Sequence, residues 1–294
     1  MFATVEEILK NCEEKNLKLH ELVLEEEAKT SKLNKEEIRN ELGKMLKVME
    51  ESAVDNLESP SKTTFGMIDG FAYKMNEYSK GGNSITGEFV TEAMAMAFST
   101  LELSSAMGKI VASPTAGSSG VLPAALTSLK KRNNYPDEEL VNAMLTAIGV
   151  GKIIGKYGSF AGAEGGCQAE TGSAASMAAG AIVYLYGGSI EEIFHASSIA
   201  FIHVLGLVCD PIAGLVEYPC TFRNASGVVN AFISADMALA GIKSVVPFDE
   251  VCKTVGEVGA GLPVHLRETG TGGLANTNTG RKIRKEFLSC NEEL

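Results

Sequence analysis

The stretch GKYGSFAGAEGGCQAETGSAASMAAG, residues 155–180, joins a glycine-rich turn to an alanine-rich run. The run is typical of a closely packed helix, because its small side chains let neighbouring helices approach. Glycine in the turn lets the backbone come close to a bound group and adopt positive φ. Cys167 lies in this turn, where its sulfur can be presented without a bulky neighbour. The stretch therefore predicts a packed helix with a binding site at its start.

Composition indicates a globular protein and excludes several partners. The chain has 294 residues, 45% of them hydrophobic, and a net charge of -11. Nucleic acids and anionic membranes attract basic surfaces, so neither is an expected partner. The most apolar runs are roughly a dozen residues long, shorter than the ~20 that cross a bilayer. The N-terminal residues are acidic and lack the pattern of a signal peptide, so we expect a cytoplasmic protein.

Helical periodicity recurs along the chain, and no alternating strand pattern or internal repeat is evident. Capping-box pairs, which mark helix starts, occur at Thr4 with Glu7, Asn34 with Glu37, and Ser189 with Glu192. Further helices are predicted over residues 86–109, 121–132, 136–156, 225–241 and 247–259. We predict a mostly α fold, in which an acidic helical segment (residues 1–59) precedes one compact helical catalytic domain (60–294). Glycine-rich loops of that domain are expected to converge on a metal-cluster site.

The loop of residues 113–120, SPTAGSSG, directly precedes a predicted helix. A helix N-terminus offers unpaired N–H groups and a partial positive charge, so this loop is suited to an anion. It lacks the lysine of a phosphate-binding P-loop, so a carboxylate fits at least as well as a phosphate. An ordinary N-cap turn is the alternative. The candidate substrate-binding residues are Ser113, Thr115, Gly117, Ser118 and Ser119.

Six cysteines in a cytoplasmic protein are expected to be reduced, which favours a metal site over disulfides. Cys12 and Cys252 lie on predicted helix faces, whereas Cys167, Cys209 and Cys220 lie in loops rich in glycine or proline. The latter three are separated by 41 and 10 intervening residues. Three thiolates leave one corner of a zinc site or an iron–sulfur cubane open to substrate or water. The alternative for each cysteine alone is a small buried apolar residue.

Four motifs together resemble the α chain of the iron–sulfur L-serine dehydratases. They are SPTAGSSGVLPA (113–124), GAEGGCQAETGSAASMAAGA (162–181), CDPIAGLVEYPC (209–220) and LRETGTGGLA (266–275), and the resemblance extends from about Thr86 to Thr279. It implies that Cys167, Cys209 and Cys220 ligate a four-iron, four-sulfur (4Fe–4S) cluster. It also implies an oxygen-sensitive lyase that deaminates L-serine to pyruvate and ammonia, in amino-acid degradation and gluconeogenesis.

The chemistry of this reaction suggests further roles. The 113–120 loop would clamp the serine carboxylate, Arg267 would assist by a charged pair, and Glu164 or Glu170 would orient the ammonium. In single-chain relatives a preceding domain contributes active-site histidines, so a separate β chain is the expected partner.

Two further questions concern residues of this chain. Lys156 and His265 are the candidates for a general base within it. Cys290, in the basic tail, is either a displaceable fourth cluster ligand or a free surface thiol.

Two other classes of protein remain as alternatives. A pyridoxal-phosphate lyase would use the glycine-serine loop for the cofactor phosphate and a lysine for the Schiff base, but such enzymes need an α/β scaffold. A non-catalytic cysteine protein that binds metal or senses redox state would not need the hydroxyl-rich loop.

Overall fold

The computed structural model describes residues 4–291, without the side chains of residues 290 and 291, and this part of the chain forms thirteen α-helices and no β-strand. The prediction of a mostly α fold is confirmed. Cys290 lies outside the described side chains. The helices are α1 Val5–Lys15, α2 Leu19–Thr30, α3 Lys35–Val54, α4 Phe71–Lys80, α5 Glu88–Ser105, α6 Val121–Asn133, α7 Asp137–Tyr157, α8 Gly162–Gly165, α9 Ser173–Leu185, α10 Ile190–Ile202, α11 Cys220–Leu239, α12 Phe248–Gly261 and α13 Asn278–Asn291.

The three predicted capping residues are confirmed as helix N-caps. The Thr4 and Ser189 hydroxyls accept the backbone N–H groups of Glu7 and Glu192. Asn34 accepts the N–H of Glu37 in the same way. Each bond satisfies an N–H that the first turn of a helix leaves unpaired.

Helix α9 forms the centre of the core and packs against α7, α10 and α11. The small residues of α9 allow these helices to pack closely against it. A Cβ added to Gly180 would lie 2.9 Å from Val150 Cγ2 and 3.1 Å from Ile193 Cγ2. The alanine-rich run therefore packs as predicted. Among the described residues, no helix is both long and apolar enough to cross a membrane.

The acidic N-terminal helices share this core. Ile8, Leu22 and Leu46 are buried in the same hydrophobic cluster as the residues of α7 and α9. Helix α2 packs on α7, where a Cβ on Gly149 would lie 2.9 Å from Val23 Cγ2. A domain boundary at residue 59 stays a prediction.

Several features differ from the sequence prediction. Helix α11 begins at Cys220, five residues before the predicted start, so Cys220 is the first residue of a helix and does not lie in a loop. Helices α2 and α4 were not predicted. The buried residues of α2 include three in a row, at 22–24, which obscures a helical stripe. The N-terminus of α4 is capped from α5, because Glu102 Oε1 accepts the Ala72 N–H at 2.8 Å.

Candidate metal centre

The three cysteines singled out from the sequence come together in the structure. Cys167 directly precedes a π-helical turn that leads into α9, Cys209 lies between α10 and α11, and Cys220 begins α11. Their exposed fractions are 2%, 1% and 4%. The Cys209 thiol donates to Glu170 Oε2 at 3.9 Å, and the thiols of Cys167 and Cys209 are close enough to shift each other's pKa. Cys220 is close enough that the negative charge of Cys167 adds to burial in raising its pKa.

The surroundings of Cys167 favour its thiolate, the form that binds metals. The interaction with the Cys209 thiol lowers the pKa of Cys167, with help from the Arg223 charge and the Thr171 hydroxyl. The Thr171 Oγ1 lies 3.1 Å from the Cys167 sulfur. The same interaction with Cys167, together with burial, raises the pKa of Cys209.

Two carboxylates lie beside Cys209. One oxygen each of Glu170 and Glu268, with the Cys209 sulfur, lie within 4.8 Å of one another. Burial raises the pKa of Glu170 to about 7, with further contributions from the negative charges of Cys167 and Glu268. Gly162 faces all three groups. A Cβ there would lie 2.8 Å from Glu170 Oε2, 3.0 Å from Cys209 Sγ and 3.1 Å from Glu268 Oε2. A side chain at position 162 would therefore displace the group.

The segment around residues 266–274 is tied to Cys209 and to the residue that follows it. Cys209 N donates to Leu266 O at 2.8 Å, and Glu268 N donates to Cys209 O at 2.7 Å. Leu274 N donates to Asp210 Oδ2 at 2.7 Å. Two of the four sequence motifs therefore form one structural unit.

Asn224 joins the 113–120 loop to the Cys220 helix. Its amide nitrogen donates to Gly117 O at 2.7 Å and to Cys220 O at 2.8 Å. Its carbonyl accepts the Gly120 N–H at 2.9 Å. The loop also meets the carboxylate beside the thiols. A Cβ on Gly117 would lie 3.3 Å from each oxygen of Glu170, and the Thr115 side chain hydrogen-bonds that carboxylate.

Three hydroxyls of this loop take part in hydrogen bonds, and one has no partner among the described residues. Thr115 Oγ1 and Ser118 Oγ lie 3.0 Å apart, and Ser119 Oγ donates to Ala116 O at 2.8 Å. The Ser113 Oγ is buried and has no hydrogen-bond partner among the described residues. Ser113 is therefore the loop hydroxyl best placed to bind something the structure does not contain.

The remaining predicted residues lie at other positions. Lys156 is exposed near the end of α7, with its ammonium 5.0 Å from the centre of the Tyr157 ring. His265 is exposed beside Gly272, where a Cβ would meet its ring at 2.6 Å. Neither residue shares the burial of the three thiols.

Arg267 lines a cavity of about 550 Å³ behind the Cys167 segment. Glu164 and Lys253 are among the other lining residues, and so are Gly165 and Ala169 on either side of Cys167. Of the two carboxylates proposed for the substrate ammonium, the structure places Glu170 at the thiols and Glu164 at this cavity.

Four residues of the centre were missed by the sequence analysis: Glu268, which lies beside Cys209, and Asp210, Arg223 and Asn224. Arg223 forms an ion pair with Asp210, with Nη2 and Oδ1 2.6 Å apart, and Asn224 makes the three bonds described above. A signal was present, since Asp210 directly follows Cys209, and Arg223 and Asn224 lie three and four residues after Cys220. Polar residues that close to candidate ligands are candidates for supporting them.

The donor set fits a sulfur-ligated metal group. Soft thiolates select zinc, copper(I) or iron–sulfur clusters over oxygen-preferring ions. Gly162 and Gly117 keep side chains away from the carboxylates next to the thiols. The Arg223 Nη1 is buried without a hydrogen-bond partner among the described residues, as expected if a bound acceptor is lacking.

Comparisons with known proteins identify the family. A family model described as "Serine dehydratase alpha chain" matches residues 14–275. The chain is 57% identical over 288 residues to the "L-serine dehydratase, alpha chain" of Peptoniphilus asaccharolyticus, covering 98% of this chain and 99% of that protein. It is 43% identical over 288 residues to the "Probable L-serine dehydratase, alpha chain" of Bacillus subtilis, covering 98% and 96%. It is 36% identical over 282 residues to the "L-serine dehydratase" of Streptomyces coelicolor, covering 93% of this chain but 60% of that longer protein.

The chain therefore belongs to the serine dehydratase alpha chain family. The family resemblance seen in the four motifs is confirmed, and so is the interpretation as an enzyme of the lyase class.

Proposed function

We propose that this chain is the α subunit of an iron–sulfur L-serine dehydratase, which converts L-serine to pyruvate and ammonia. The observation that carries the proposal is the convergence of Cys167, Cys209 and Cys220 beside the 113–120 loop. A metal centre and a carboxylate-binding loop are the two parts that this elimination requires. The names of the relatives support the same reaction.

The three cysteines would hold a 4Fe–4S cluster through their sulfurs, with one iron not ligated by this set. When bound, such a cluster supplies a Lewis acid for the serine hydroxyl, which is otherwise a poor leaving group. Burial of the thiols excludes water from the three protein ligands. Arg223 supplies positive charge next to Cys167 and so favours the thiolate.

The 113–120 loop would bind the substrate carboxylate. Ser113 Oγ is a buried hydroxyl without a partner among the described residues, and the loop leads into the N-terminus of α6. Asn224 holds the loop to the Cys220 helix, so the carboxylate site is fixed relative to the thiols. Glu170 lies between the loop and Cys209 and would orient the substrate ammonium. Arg267 is a further carboxylate partner only if the substrate reaches the cavity it lines.

Removal of the Cα proton needs a general base, and we propose that a separate β chain supplies it. The Streptomyces coelicolor relative is longer than this chain, which covers 60% of it. The names of two other relatives specify an alpha chain. His265 and Lys156 are the alternatives within this chain, and both are exposed. We place the enzyme in the cytoplasm, in amino-acid degradation and gluconeogenesis.

The test is anaerobic purification, cluster reconstitution, and assay of iron, acid-labile sulfide and pyruvate from L-serine, with and without the candidate β chain. We expect iron and sulfide in the α chain alone and rapid pyruvate formation only with both chains. Full activity of the α chain alone would refute the role of the β chain. An absorbance band typical of an internal aldimine, without iron, would favour the pyridoxal-phosphate alternative. Iron without any lyase activity in the two-chain enzyme would favour the metal- or redox-sensing alternative.

Oxygen sensitivity follows from an iron that lacks a protein ligand. We expect air to abolish activity and ferrous iron with thiol to restore it. Activity that survives prolonged exposure to air would contradict an open-site cluster.

A further inference from the structure

Arg223 is a buried charge with an unused hydrogen-bond donor. Its side chain is 12% exposed, and its Nη2 is paired with Asp210 Oδ1 at 2.6 Å. Its Nη1 is buried and makes no well-formed hydrogen bond to an acceptor among the described residues, while the guanidinium also interacts with the Cys167 sulfur. A buried donor left without an acceptor costs free energy, more so on a charged group. The position is therefore best explained by an acceptor that binds there.

The surroundings of Arg223 identify that acceptor by chemistry. Arg223 lies three residues after Cys220 on α11, a spacing that places both on one helix face. Its charge acts on Cys167 and Cys220. Its partner Asp210 is the residue next to Cys209. Arg223 is thus linked to all three candidate cluster ligands.

Asp210 fixes the direction of the guanidinium. One carboxylate oxygen holds Arg223 Nη2, and the other accepts the Leu274 N–H at 2.7 Å. Because both oxygens are engaged, the Asp210 carboxylate is held in place and anchors one nitrogen of the guanidinium. The anchored guanidinium interacts with the Cys167 sulfur.

We propose that Arg223 donates its Nη1–H to a sulfur of the bound cluster, and that Asp210 is the residue that positions it. This inference rests on the proposed function. Hydrogen bonds and positive charge at cluster sulfurs raise the reduction potential, because they stabilise the more negative state. The same withdrawal of electron density makes the open iron a stronger Lewis acid. Loss of a supporting partner typically weakens metal binding about 10- to 100-fold.

The experiment compares the wild-type two-chain enzyme with Arg223→Gln, Arg223→Lys and Arg39→Gln. Arg39 is the matched control, because its Nη1 bonds to Asn142 in the contact between α3 and α7. The readouts are the cluster potential, from an anaerobic titration followed by electron paramagnetic resonance, and the rate of iron loss to a chelator. For Arg223→Gln we expect a more negative potential and iron loss about 10- to 100-fold faster. Arg223→Lys keeps the positive charge but lacks the planar guanidinium. Its cluster potential and its rate of iron loss should therefore lie between those of the wild type and Arg223→Gln. Arg39→Gln should match the wild type.

Three results would overturn the inference. One is an Arg223→Gln enzyme with wild-type potential and iron retention. Another is the same variant with only a raised KM for serine, which would assign the guanidinium to the substrate carboxylate. If Arg223→Gln does not fold, wild-type values for both readouts in Arg223→Lys would overturn it instead. A wild-type enzyme that binds no cluster would refute the proposed function itself, whereas an unchanged potential in a loaded variant refutes this inference alone.

Discussion

Replacing Asn224 with alanine should uncouple the 113–120 loop from the Cys220 helix. The side chain is fully buried and bonds to Gly120 N, Gly117 O and Cys220 O at 2.9, 2.7 and 2.8 Å. Alanine can make none of these bonds. The loop end then loses two of its anchors, and the helix that carries Cys220 loses its link to the loop.

The magnitude follows from the groups left without partners. Gly120 N and Gly117 O lose an Asn224 partner, and each unsatisfied buried group costs about 1–3 kcal/mol. The free energy of unfolding should therefore fall by about 2–6 kcal/mol, which lowers the apparent Tm by about 3–10 °C for a chain of this size. Mispositioning of a bound reactant by about 1 Å can cost about 100-fold in rate, so we also expect a large loss of kcat/KM.

The assay separates stability from function by a matched variant on the same helix. Asn230 is also buried on α11, but its amide bonds to Ala200 O on α10 at 2.8 Å. Asn230→Ala should lower the Tm to a similar extent while keeping the iron content and kcat/KM close to wild type. Asn224→Ala should lower both the Tm and the kcat/KM for serine. An Asn224→Ala enzyme with wild-type kcat/KM would refute the proposal that this residue aligns the loop with the thiols.

Two further predictions concern other positions. Gly162→Ala should reduce iron binding about tenfold or more, because the new Cβ would lie 3.0 Å from Cys209 Sγ. The control is Gly43→Ala, which has open space around its new Cβ and should leave the iron content unchanged. Burial raises the pKa of Glu102 in the folded protein to about 7, above the ordinary value of a glutamate, so the folded state holds a proton that the unfolded state releases. Wild-type stability should therefore fall as the pH rises from about 5 to 7, and thermal melts of Glu102→Gln should show a weaker fall; equal slopes in both proteins would contradict this.

Local signals predicted much of the helical framework. The capping boxes at Thr4, Asn34 and Ser189 mark the starts of α1, α3 and α10, because a cap and its helix lie within four residues of each other. The start of α4 was not predictable in this way. Its N-terminal N–H is satisfied by Glu102, thirty residues away in sequence, and no local pattern reports such a contact.

The candidate site likewise has residues that sequence motifs identified and contacts that only the folded chain shows. The motifs identified Cys167, Cys209 and Cys220 through family resemblance, whereas their spacing of 41 and 10 residues gave little information. The start of α11 at Cys220 was missed because Pro219 and the irregular segment before it resemble a loop. The pair Arg223–Asp210 and the bridging role of Asn224 depend on the packing of distant segments. Their identities were visible in the sequence, but their partners were not.

The most direct test of the central claim is the iron and acid-labile sulfide content of the chain reconstituted without oxygen, measured beside Cys167→Ala, Cys209→Ala, Cys220→Ala and the control Cys12→Ala. Cys12 is buried in the core cluster on α1, so its loss should not affect metal binding. The account predicts equal amounts of iron and sulfide in the wild type and in Cys12→Ala, and loss of both from each of the other three variants. A wild-type chain without sulfide, or full iron retention in any of the three, would contradict the proposed cluster and its ligands.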